Sequence, residues 1–105
     1  MFLDDELYKM TFDFAKSGSS DIQGLNAQIY RMCANHFQSR IDHKMASAEQ
    51  KAAVKRTFNL FDSFIKKLEK SGIFGLVLIA QVLKRNHFRD QLFKDKKFKE
   101  AYDKL

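Results

Sequence analysis

Lys55, Arg56, Lys66, Lys67 and Lys70 recur at intervals that an α-helix would gather on one side, with Asn59 and Ser63 between them. A row of cations of this kind can bind anions, either phosphates along a nucleic-acid backbone or carboxylates on an acidic protein surface. It also describes an ordinary solvated helix face, on which Asp62 and Lys66 stand four residues apart as a surface ion pair would. A second cationic cluster follows in Lys84, Arg85, Arg89, Lys94, Lys96, Lys97, Lys99 and Lys104, with Phe93 and Phe98 interleaved. Aromatics alternating with cations can stack bases, or form a basic amphipathic surface for a membrane or an acidic partner. The plainer expectation is a C-terminal helix docked by Phe98 and Tyr102.

Cys33 and His36, three residues apart, could share a metal ion on one helix face, and His43 lies on the same side. His36 and His43 would be about 10 Å apart along a helix axis, too far for one ion, and no C-x-x-C or H-E-x-x-H spacing accompanies them. A nucleophilic role for Cys33 meets a second objection. Reactive thiols favour helix N-termini or electropositive, accessible settings, whereas Cys33 falls mid-helix on an apolar face. The expectation is therefore a core cysteine, no metal or cofactor, no catalytic residue and no enzymatic activity.

The elements that must position these side chains follow from hydrophobic spacing. A first helix runs from about Asp4 to Lys16, with Leu3, Leu7, Met10 and Phe14 in one stripe and acidic residues in its first turn. A second starts after Ser20, which with Gln23 fits a capping box, and continues to about His43. Ser47 with Gln50 makes a comparable box for the third helix, which Lys70-Ser71-Gly72 closes. Its Val54, Phe58, Phe61, Phe64, Ile65 and Leu68 oppose the cationic row. The segment from Phe74 to Lys84 is apolar on all sides, the pattern of a central helix. It offers only Gln81 to a base edge, which excludes it as the recognition helix of a helix-turn-helix. Residues 86–105 admit one helix, two short helices broken near 94–97, or a mobile basic tail from about 94 onward. Tyr8, Phe12 and Phe93 fall off the main stripes. They either fill a second side of the core or form an apolar surface for a partner or for self-association.

Composition bounds the rest. The 105 residues include eleven Phe, no Trp, no Pro and four Gly, which suits long helices around a core of rings that need no hydrogen-bond partner. Such a length holds a single domain. Residues 1–50 carry five Lys/Arg against seven Asp/Glu, and residues 51–105 carry fourteen against six, so the net charge of +6 resides in the second half. One cysteine excludes an internal disulfide. The acidic Asp4, Asp5 and Glu6 stand where a signal peptide would be basic, and no apolar run approaches the about 20 residues of a membrane span. The expectation is an all-α domain of four or five helices, a bundle or orthogonal array around the 74–84 helix, acting in the cytoplasm. Its expected role is binding an acidic protein surface through Lys55, Arg56, Asn59, Ser63, Lys66, Lys67, Lys70, Lys94, Lys96 and Lys97. Nucleic-acid binding through the same residues is the alternative.

Overall fold

The computed structural model describes residues 3–40, 46–85, 90, 92–94 and 96–103, excluding the side chains of Arg40, Lys97 and Ala101. Among the described residues there are five helices and no strand: α1 Leu3–Ser17, α2 Ile22–Arg40, α3 Ser47–Glu69, α4 Phe74–Arg85 and α5 Lys96–Asp103. They pack on one another as a small all-α bundle of 44 × 24 × 19 Å. His43 lies outside the described residues, as does the expected end of the second helix near it.

Local chemistry accounts for the helix ends, with two departures from expectation. Gly18 and Gly72 take positive φ of 74° and 72° after α1 and α3, the left-handed turn that ends a helix without a Cβ clash. At α2 the cap is Asp21 instead of Ser20: its Oδ1 accepts the Gly24 N–H at 3.0 Å. A Cβ on Gly24 would stand 2.3 Å from Asp21 Oδ2, so a larger residue there would require the exposed carboxylate to turn slightly while keeping its cap. At α3 the expected Ser47–Gln50 box does not form. Ala46 is the N-cap, without a side-chain hydrogen bond, and Gln50 is turned inward and buried.

The long helix α3 packs against each of the other four, most extensively against α1. Its buried side chains run from Gln50 and Ala53 through Val54, Thr57, Phe61, Phe64 and Ile65 to Leu68. With half-buried Phe58 they span an arc of about 140° at 100° per residue, wide enough to serve partners on two flanks. At about 1.5 Å per residue its 23 residues extend roughly 34 Å, most of the long dimension of the molecule. The 74–84 segment is helical, as expected, but it is not the hub. As α4 it packs on α1 and α3, burying Leu76, Ile79, Ala80 and Leu83. Ile73 and Leu78 are exposed, and Phe74 is 77% exposed. A twelve-residue helix is too short to reach every neighbour, so its surplus apolar side chains face water.

Helix α5 is docked on α2 and α3 by aromatic rings. Phe98 is fully buried, with its ring centroid 5.0 Å from that of Phe37, 5.4 Å from Phe58 and 5.8 Å from Phe93. Tyr102 stands edge-on to Phe93 at 4.7 Å and to Phe58 at 6.3 Å. Such edge-to-face pairs contribute about 0.5–1.5 kcal/mol each beyond the area they bury. The Phe98→Ala variant is expected to lose about 3–5 kcal/mol of stability. Phe74→Ser, at an exposed position, should change stability by less than about 0.5 kcal/mol. Urea unfolding of both variants checks the pair, and comparable losses would contradict the peripheral position of α4.

Candidate functional site

The acidic first turn of α1 lies against the C-terminal half of α3 and meets part of the cationic row. Ser63 donates its hydroxyl hydrogen to Asp4 Oδ2 at 3.0 Å. Lys67 Nζ is 2.9 Å from the same oxygen and is also paired with Asp5. The Asp5 N–H donates to Asp4 Oδ1 at 3.1 Å. Burial by itself pushes the Asp4 carboxyl pKa up. Hydrogen bonds from Lys67 and Ser63, the Lys67 charge and the Asp5 N–H outweigh it, so the carboxyl is held below its ordinary value. The Lys67 ammonium is pushed up by Asp5 and then by Asp4. Two members of the row are thereby held by the protein itself.

Beside this contact the two helices leave an open cleft of about 530 Å³, lined by Asp5, Tyr8, Ser63, Lys66, Lys67 and Lys70. Lys66 and Lys70 are exposed, one helical turn apart, and make no ion pair among the described residues. Tyr8 is half-buried against the core, so the cleft combines an aromatic wall with a cationic one. Periodicity placed Tyr8 only on an off-stripe face and Asp5 only in a helix-dipole role. Opposite charge on the α1 turn and the α3 row was the available signal, but residues some sixty apart carry no spacing rule.

The remaining cations are spread along the molecule. Lys55, Arg56 and Asn59 are exposed on the N-terminal half of α3, Lys55 one turn before the Phe58 ring on which α5 rests. Arg56 borders α2, where it lines a cavity of about 30 Å³ with His36, Phe37, Ala53 and Thr57. From Lys55 to Lys70 the row measures about 22 Å along the helix. Lys94 and Lys96 are exposed, and the Lys97 side chain lies outside the described residues. Lys84 is engaged with Glu69 of α3 at 2.7 Å. The three off-stripe aromatics do not share one role. Tyr8 lines the cleft, Phe93 belongs to the aromatic cluster, and Phe12 is exposed.

Cys33 is fully buried in the core, and burial pushes its thiol up to about 12. A thiol in that state carries almost no thiolate at neutral pH. Among the described residues no group of three or more His, Cys, Asp or Glu could hold a metal ion, and no helix is long and apolar enough to cross a membrane. Fold and cleft together define a small all-α domain with a cationic, aromatic-walled groove. No protein-family model, curated protein or solved structure matches the chain.

Two outcomes follow from these environments. The folded-state pKa of Asp4 is depressed, so its contribution to stability is present above the unfolded value and is lost as pH falls through the folded one. Asp4→Asn should therefore lower the urea midpoint at pH 7, and the gap to the parent should close on acidification below about pH 4. A gap unchanged with pH would show that the carboxylate charge contributes nothing. Native Cys33 should react with a thiol reagent orders of magnitude more slowly than in denaturant. Comparable rates in the two conditions would contradict its burial.

Proposed function

We propose that this protein is a non-catalytic binding protein that engages an acidic surface of another protein, acting in the cytoplasm. The observation that carries this reading is the exposure of Lys55, Arg56, Lys66 and Lys70 along α3, the helix packed against every other described helix. Four cations on so constrained an element have preset spacing, so less order need be imposed on binding. Half-buried Asp62 within the row and Asp5 at the cleft favour separated carboxylates over a continuous phosphate backbone, which would meet both acids. The sequestered thiol of Cys33 supports recognition over thiol chemistry.

The test compares fluorescent polyglutamate with a DNA and an RNA oligonucleotide at about 20 and 200 mM salt. Polyglutamate should bind at the lower salt, and the combined Lys55→Gln, Arg56→Gln, Lys66→Gln, Lys70→Gln variant should lose that binding with its thermal melt preserved. Tighter, steeply salt-dependent binding of either oligonucleotide, lost in the same variant, would transfer the function to nucleic acid. No binding of any probe would overturn both.

A further inference from the structure

The α1–α3 cleft already contains a worked example of the ligand it fits. Asp4 and Asp5, adjacent carboxylates at a helix start, are held by Lys67 and Ser63 on one side of the groove. Along the same α3 wall Lys66 and Lys70 repeat the cationic half of that arrangement, with no carboxylate upon them among the described residues. Tyr8 lines the cleft from α1. We infer that this cleft is the anchoring subsite for a short acidic peptide segment of a partner protein. Lys66 and Lys70 would take its carboxylates, while the Tyr8 ring packs against its aliphatic stems. The inference rests on the acidic-protein reading above and narrows it to one end of the row.

Three physical points select this occupant. Residues four apart on a helix place their Cβ atoms about 5–6 Å apart, so two ammonium groups can close on one carboxylate or on neighbouring ones. The volume of about 530 Å³ is that of a site for a few side chains, larger than a single inorganic ion needs. Asp5 at the rim repels a dense polyanion, whereas a peptide can direct its carboxylates away from it. The Asp5 charge, though paired with Lys67, works against any anion that enters and most against one of high charge density.

Labelled hexaglutamate added to the full chain, followed by amide and tyrosine-ring NMR shifts, tests the assignment. Shifts should concentrate at Tyr8, Lys66 and Lys70. Lys66→Ala and Lys70→Ala together should weaken binding about tenfold or more. Asp5→Asn should tighten it, an effect that general loss of structure would not produce. Lys84→Ala, which removes a cation engaged with Glu69, should leave affinity unchanged. If Lys55→Ala with Arg56→Ala abolishes binding while the Lys66 and Lys70 variants do not, the cleft assignment is overturned and the broader acidic-surface reading survives. Absence of any hexaglutamate binding at low salt overturns both. Displacement of the peptide by a lower concentration of inorganic phosphate overturns the carboxylate assignment alone, and displacement by a lower concentration of a thymidine hexanucleotide overturns the acidic-protein reading with it.

Discussion

The apolar arc of α3 is the surface on which α1, α2, α4 and α5 are all assembled, and the rest of the architecture answers to it. Because the arc spans about 140°, neighbours can settle on both of its flanks while the back of the helix remains in water. That back carries Lys55, Arg56, Lys66 and Lys70. Burying any of these charges without a partner would cost far more than apolar contact could return, so no neighbouring helix can close over them. The exposed row is thus a consequence of the core on the opposite face, and both follow from one helix being long enough to reach across the molecule.

Where a helix does approach the cations, it brings compensation. The first turn of α1 reaches Lys67 and Ser63 with two carboxylates, converting repulsive desolvation into a charge-assisted contact. This acidic turn serves its own helix dipole and its neighbour at once. The contact is partly exposed, which limits its energetic weight through solvent screening. It also joins α1 to α3 beside the cleft that Tyr8 and Lys66 both line.

Helix positions, the Phe-rich face of α3 and the core burial of Cys33 were legible because each depends on local periodicity. The hub was not. An all-apolar segment reads as central when its length is ignored, yet α4 has twelve residues against the 23 of α3 and leaves Phe74 in solvent. Capping was half legible, since Ser20 and Asp21 are both competent and adjacent, and the structure uses Asp21. The cationic row could be identified, but its division into engaged and exposed members could not. That division depends on where α1 crosses α3, a tertiary fact with no sequence period.

The aromatic cluster that holds α5 also bears on the order in which the chain assembles. Helices α1 and α2, and α3 and α4, are near neighbours in sequence and can pair through short loops. The contact of Phe98 with Phe37 joins rings 61 positions apart, so it carries a larger loop-closure entropy than either of those pairings. In the folded chain the Phe98 ring covers both Phe37 and Phe58. Helix α5 is thus the cover of an aromatic surface, and a chain shortened before it would present those rings to a second copy.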